Sequence, residues 1–560
     1  MKMFDVSRAG RLLGSVSLVA VLAACAVSPQ PFTNEELTTQ AAADRADMFK
    51  NGEPLDHPLT MSEAIARALT YNLDKRSKMM EEALALGQSD LSNWDLLPKL
   101  TANAGYDERS RPAASRSRDL YTQTTGTEID PTYSQDRFQK TADLTMSWNI
   151  LDFGLSYYTA KSNADRALIA AERRRKAVQT LISDVRATFW RAAAYQSLNS
   201  EVSQTLAETR DALSKARQVE QENLKAPAES LRYQKALLET QRQLTAIQQD
   251  LSTARIELAA LINLPPGTPI VLDVPVGMSV PSWTMPLEQM EETAFVNNPD
   301  LHEQGYLSRI AVDDTRKEIL RLLPGISLSA GHDWDGNSFS IYHQWYDAGA
   351  KLSWNLMNLA SAPDILKYSQ TNEDVVKAKR LAARMAVLAQ VHVSEQQFRN
   401  AANQYQLSDQ LWKVDEKLYA LADARAANDA GGVLERVASH ASAITSQLRR
   451  FQSYAQVEQA YAKMQATLGQ DLLSETVHAD DLNGLSRTVA DRLSRWSNSG
   501  EEPAAPVAAP DKAVSSPGAA SSDTAIQAGP ATSAEDNRKA KEAVVAFFGS
   551  VGQVLSGDGQ

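Results

Sequence analysis

Few residues in this chain could do chemistry. Its 560 residues include one cysteine, Cys25, and seven histidines. A lone thiol closes no disulfide within the chain, but it can accept a modifying group. The histidines are scattered, without His-Glu-x-x-His spacing and without a second cysteine, so the pattern gives no metal-ligand set. There is no Walker glycine loop, no Gly-x-Ser-x-Gly elbow and no paired catalytic-acid motif. Nothing places a nucleophile in a recognisable setting, so the sequence nominates no catalytic, cofactor-binding or metal residue, and the expectation is a protein that is not an enzyme. Four carboxylates remain. Glu229 and Glu435 follow two turns at matching positions of an internal repeat, and Asp423 and Asp429 lie beside the second turn.

The setting of Cys25 is more telling than its chemistry. Lys2, Arg8 and Arg11 precede an apolar run, Leu12 to Ala24, which is too short to span a bilayer as a stable helix. The run ends in Leu22-Ala23-Ala24-Cys25, which resembles the bacterial lipoprotein motif. That resemblance implies a signal peptide over residues 1–24 and acyl chains, palmitate among them, on Cys25. Several chains together anchor stably where one would not. Ala26, rather than Asp, follows the cysteine, which by resemblance to sorting rules implies the outer membrane.

No later stretch of about 18 apolar residues could form a membrane helix. Acidic residues outnumber basic ones, 69 to 57, and no long basic tract occurs. Nucleic acid is therefore not an expected partner.

The chain states one pattern twice. LLPKLTANAGY at Leu97-Pro98 is echoed by LLPGISLSAGH at Leu323-Pro324, and LTMSWNILDFG (Leu144–Gly154) by AKLSWNLMNLA (Ala350–Ala360). Each copy reads as two period-two segments, entered from one helical run and left by a longer one. Strands are expected at about 99–108 and 138–151, and at about 325–335 and 341–356, with 108–136 a long loop. Ala142, Leu144, Met146, Trp148 and Ile150 share one face; Asp143, Thr145, Ser147 and Asn149 share the other. The second copy alternates likewise, with His332 the exception on its apolar face. Four strands of about 10 residues, apolar outside and polar inside, suit a transmembrane barrel. Since the smallest single-chain barrels use eight, several subunits must pool their strands. Trp148 and Trp354 stand at equivalent points near strand ends, where an aromatic ring suits the membrane–water boundary.

The helical runs fit the same picture. Leu155 to about Asn223 has no proline and would make a helix of about 100 Å. A turn at Lys225-Ala226-Pro227 leads into a half-length helix to Leu264. The second copy has a long helix from Asp364 to Asn428, a turn at Asp429–Gly432 and a return to Leu468. Met61–Leu96, opened by Thr60 or Ser62 with Glu63 in the first turn, and Leu287–Leu322 are also half-length. Two halves stacked end to end match one long helix. The fold class expected is mainly α with a small β part: a tandem-repeat, long-helix tube carrying four membrane strands.

These residues resemble the TolC-type outer-membrane channel proteins of Gram-negative bacteria, over about 59–470. The resemblance rests on the repeat, the Leu-Pro strand entries, the Ser-Trp-Asn exits and Asp152-Phe153-Gly154. It implies a homotrimer with a 12-stranded barrel in outer-membrane lipid, continuous with a periplasmic tube. Its partners would be a periplasmic adaptor and an inner-membrane transporter. Residues 59–264 and 287–470 would be the two repeats, and 265–286 part of a belt around the tube. In the family, carboxylates near the helix turns narrow the pore, a role that would fall to Glu229, Glu435, Asp423 and Asp429. The turns depart from the family pattern, and Ala438 stands where a second acid is often found. The same glutamates read equally as solvated helix starts favoured by the dipole. A non-conducting coiled-coil adaptor or a structural lipoprotein is the alternative reading.

The rest reads as supporting structure. Arg173-Arg174-Arg175-Lys176 suggests a solvated helix face, and Phe189, Trp190 and Phe398 suggest packing anchors. Residues 25–58 read as an extended lead-in, 471–497 as a C-terminal extension, 498–535 as an Ala/Pro/Ser-rich disordered linker, and 536–560 as a possible short helix.

Overall fold

A computed structural model describes residues 30–50, 52–115, 131–222, 226–275, 277–426, 432–473 and 481–499. The signal segment, Cys25, Asp429 and everything from residue 500 onward lie outside the described residues.

The repeat is visible in element lengths. The first copy contains α2 (Met61–Tyr71), α3 (Leu73–Trp94), β1 (Lys99–Glu108), β4 (Phe138–Asn149), α4 (Ile150–Gln221) and α5 (Pro227–Leu261). The second contains α6 (Leu287–Asn297), α7 (Pro299–Leu320), β5 (Gly325–Asp335), β6 (Gln344–Ser353), α8 (Leu356–Ala360), α9 (Ala362–Ala426) and α10 (Val433–Thr467). Paired elements match: 11 residues each for α2 and α6, 22 for α3 and α7, and 35 for α5 and α10. The long helices have 72 residues in α4 and 65 in α9. At 1.5 Å per residue, α4 is about 108 Å long.

The four strands form one antiparallel sheet in the order β1-β4-β5-β6. Registers Leu100↔Met146, Met146↔Ala330 and Ala330↔Ala348 carry one apolar row across all four strands. Thr101↔Thr145, Thr145↔Gly331 and Gly331↔Asp347 carry a polar row on the other face. Near the strands, α4 packs between α3 and α7, and α7 between α4 and α9. Farther away the order is α5, α4, α10, α9. The main core lies along α4 and α10, where Phe189, Trp190, Val457 and Tyr461 are buried. Trp190 meets Tyr454 edge-on at 4.6 Å, and Phe398 meets Tyr461 at 5.4 Å, so the expected packing anchors do that work.

Several expectations need correction. Helices were expected unbroken over 61–96 and 287–322. They break at Asn72 and Asn298, whose backbones are extended. The lead-in holds a helix, α1 (Asn34–Phe49), started by a reciprocal Thr33–Glu36 capping box; none of its residues is buried. The second strand stops at Asn149, because that side chain accepts from the Leu151 and Asp152 amides and starts α4. Ile150 is therefore helical. The fourth strand is Gln344–Ser353 rather than 341–356, and Asn355 likewise caps α8 by accepting from the Met357 amide. The expected loop at 108–136 includes a two-residue ladder of β2 (Ala114–Ser115) and β3 (Thr132–Tyr133). The C-terminal extension forms α11 (Leu482–Ser499), which packs on α2 and runs past the expected start of the linker. No helix among the described residues is long and apolar enough to cross a membrane.

Residues 265–286 hold the middle together. Leu59 and Leu272 form a parallel bridge, and the Gln196 side chain both donates to the Leu272 carbonyl and accepts from its amide. The Tyr405 and Tyr454 hydroxyls donate to the Met278 and Ser279 carbonyls at 2.8 and 2.9 Å.

Candidate channel wall and constriction

The wall is built from the strand exits outward. Pro98 and Pro324 immediately precede β1 and β5, where the missing N–H and fixed φ end the incoming helix without weakening the ladder. The apolar sheet face has no cover among the described residues: Leu100 is 68% exposed and Leu352 66%. On the polar face the Asn103 amide and the Thr145 hydroxyl both donate to Asp143 Oδ2, at 2.9 and 3.1 Å.

The two tryptophans differ. Trp148 lies on the apolar face of β4, opposite Leu328, with Phe153 edge-on at 5.6 Å. Trp354 stands one residue past β6 and donates its indole N–H to the Leu322 carbonyl at 3.0 Å. The repeated tripeptide thus places a ring near the strand exit and a helix cap just after it.

The helix breaks were invisible to periodicity. Asn72 accepts from the Lys75 amide, starting α3, and donates to the Leu261 carbonyl at 3.1 Å, covering the end of α5. Asn298 accepts from the Asp300 and Leu301 amides and donates to Thr467 O at 2.8 Å, doing the same for α7 and α10. Both return helices end alike. Leu264 N donates to Ala259 O and Gln470 N to Gln465 O, with left-handed Asn263 (φ 56°) and Gly469 (φ 70°) just before them. A Cβ on Gly469 would sit 2.1 Å from the Asn297 carbonyl oxygen, so only glycine fits.

The basic run, expected to be a solvated face, proves to be a clamp around the second break. Arg173 pairs with Glu303, Arg174 with Glu82, Arg175 with Asp471 and Lys176 with Asp300. Arg175 also donates to the Asn297 and Gly469 carbonyls. Beside it, His302 meets Glu172 through Nδ1 at 2.7 Å and the Val296 carbonyl through Nε2 at 2.6 Å. Both partners only accept, so both ring nitrogens carry protons and the imidazole is a cation. Its pKa is raised, chiefly by the hydrogen bond to Glu172; burial opposes the rise and the Val296 bond assists it.

At the far end, Glu229 and Glu435 occupy the first turns of α5 and α10, helices that touch each other. Glu435 accepts from Arg425 at 3.3 Å. Asp423 lies 3.7 Å from Arg436, whose other nitrogen is 3.3 Å from Glu208 on α4. Beneath these pairs, Tyr419 stacks on His440 at 4.1 Å and the Thr205 hydroxyl reaches His440 Nδ1 at 3.0 Å. Burial lowers the His440 pKa, so its ring is neutral there. A small apolar cluster of Leu213, Ala216, Leu237 and Val437 holds these tips together. Asp423 and Glu435 thus stand in neighbouring ion pairs across α9 and α10.

Among known proteins, residues 64–264 match the outer membrane efflux protein family. No curated protein matches the chain by sequence. Solved structures match it by shape. The CmeC outer membrane channel of Campylobacter jejuni aligns with TM-score 0.57 and 11% identity, covering 76% of this chain and 89% of that one. The MtrE channel of Neisseria gonorrhoeae, in its open state, gives 0.52 and 16%, covering 74% and 91%. VceC, an outer membrane protein of Vibrio cholerae, gives 0.54 and 12%, covering 73% and 96%. The fold is that of the outer-membrane channels, and the TolC-type resemblance read from the repeat is borne out.

Proposed function

We propose that this chain is the outer-membrane conduit of a tripartite export system. Three copies pool their strands into a 12-stranded barrel, and their helices continue as a tube into the periplasm. Acyl chains on Cys25 add an anchor, while an adaptor and an inner-membrane transporter supply selection and energy. The observation that carries this reading is the pair of open edges. Among the described residues, β1 and β6 are the unpaired edges of an amphipathic sheet, and α3 with α5, and α9, are the corresponding edges of the helix layer. Unpaired strand edges cannot persist in lipid, and closure onto copies removes them. Trp148 and Trp354 then ring the barrel at the interface. Glu229, Glu435 and Asp423 gather at the far mouth, where three-fold repetition of acids favours cations.

The test is planar-bilayer recording of detergent-extracted protein, with its native mass. Stable conductance from a species of three chains supports the reading. A monomer, or a trimer that stays silent, would favour the non-conducting lipoprotein.

A further inference from the structure

The lysines of the four-stranded sheet do not share a face. Lys99 and Lys351 lie in polar rows, opposite Ser147 and Ser327, at the end where the helices leave. Lys140 lies toward the other end and in an apolar row, opposite Tyr106. Along β4 that face runs Trp148, Met146, Leu144 and Ala142, and then Lys140 and Phe138. Lys140 is exposed and forms no ion pair among the described residues. A lysine facing hydrocarbon is costly at mid-depth and tolerated at the boundary. From Trp148 to Lys140 is about 27 Å along the strand, or about 20 Å along the axis of a barrel whose strands tilt by about 40°. Phe138 lies about 5 Å farther on. With Trp148 at one boundary of an apolar band about 25 Å tall, Lys140 and Phe138 reach the other.

A second cation joins it. The Arg137 guanidinium lies over the Phe138 ring, 5.6 Å from its centroid, and its Nε–H donates to the Arg109 carbonyl at 3.3 Å. Its two terminal nitrogens have no partner among the described residues. The ring thus holds the guanidinium in place while most of its N–H groups stay available to an outside acceptor. Phe138 is 49% exposed, and Tyr106, across from Lys140, is 60% exposed. Two nearby acids leave these cations unpaired. Glu108 stands across from Phe138 but is not within ion-pair distance of either cation. Asp136 accepts from the amide and the hydroxyl of Ser338. Exposed rings beside unpaired cations, at the end of an apolar face, are the pattern of a membrane–water boundary.

We propose that Arg137 and Lys140, framed by Phe138 and Tyr106, bind headgroup phosphates of lipids in the outer leaflet. The arginine offers a planar fork that suits two phosphate oxygens, and the lysine offers a point charge on a flexible stem. Acyl chains of the same lipid lie along Ala142, Leu144 and Met146, the apolar residues next to the cations on the same face of β4. That continuity selects a lipid over a soluble anion, which would gain nothing from the apolar face. This inference rests on the proposed barrel and adds which lipid chemistry its outer rim recognises.

The test titrates the full-length protein in detergent with lipid A carrying both phosphates, with the same lipid stripped of phosphate, and with inorganic phosphate, counting bound lipid by native mass. The parent should bind the phosphorylated lipid roughly tenfold more tightly than the stripped one, and inorganic phosphate should not displace it. Lys140→Gln and Arg137→Gln should each weaken binding of the phosphorylated lipid roughly fivefold, and should leave the stripped lipid unaffected. Lys99→Gln with Lys351→Gln removes equal charge from the polar face and should bind both lipids as the parent does. All four side chains are exposed, and the same mass measurement verifies assembly of each variant. A parent without preference for phosphate, displacement by inorganic phosphate, or equal losses in the polar-face variant would overturn the lipid rim. A parent that conducts but shows no phosphate preference sinks the rim alone; a parent that is silent in the bilayer sinks the barrel beneath it.

Discussion

Asn298 donates to the Thr467 carbonyl at 2.8 Å while its own oxygen accepts from the Asp300 and Leu301 amides. One side chain thus ends α10, starts α7 and fixes the splice between them. Asn298→Ala should cost about 2–3 kcal/mol, from a lost cap and a buried carbonyl left without a donor. Asn298→Asp keeps the cap but cannot donate to Thr467, and should recover less than half of that loss. Denaturant unfolding of the pair of variants measures both.

Arg186 and Glu458 form an ion pair between α4 and α10, at 2.6 Å, with side chains only 5% and 8% exposed. Arg186→Met should cost about 3–5 kcal/mol because a carboxylate is left buried alone. Adding Glu458→Leu should return most of it. A double variant no more stable than Arg186→Met would contradict this account of the pair.

How much of this was legible follows from distance along the chain. Strand positions follow from alternation alone, so β1 and β5 fall at their expected residues. The cap at Asn298 had a local signal, Asn before Pro-Asp, that periodicity overrode. Asn72 had less, since Leu73 continues the helical pattern. The basic run could not be read as a clamp because its partners lie 92 to 296 residues away. Repeat position nominates Glu229 and Glu435, and nearness to the second turn nominates Asp423, but the ion pairs of Glu435 and Asp423 depend on how α4, α9 and α10 pack.

His302 gives a pH dependence of defined sign. Its folded pKa is above the usual value of 6.5, so the folded state holds a proton more tightly than the unfolded chain. That stabilisation is complete below about pH 6.5 and is lost as pH rises through the folded pKa. Glu172 chiefly draws the proton in, the Val296 carbonyl assists, Arg175 opposes, and Tyr306 also faces the ring. Unfolding midpoints of the native protein should fall over this interval. His302→Gln should begin lower and lose this part of the slope. Equal slopes in both would refute the cationic assignment.

Arg436 links Asp423 on α9 to Glu208 on α4. These groups are partly exposed, so each pair is worth about 1 kcal/mol or less to stability. Its removal acts on charge instead. Arg436→Ala should leave folding within about 1 kcal/mol of the parent and make the far mouth more cation-selective. Reversal potential in a salt gradient reads the change, and an unchanged potential would place these acids away from the ion path.

The most direct measurement is depth quenching along β4. A fluorophore attached at Leu144→Cys should be quenched by brominated lipid tails and spared by aqueous iodide; one at Thr145→Cys should show the reverse. Both labels shielded from lipid would mean that the alternating face is a protein interior, and the barrel would be contradicted.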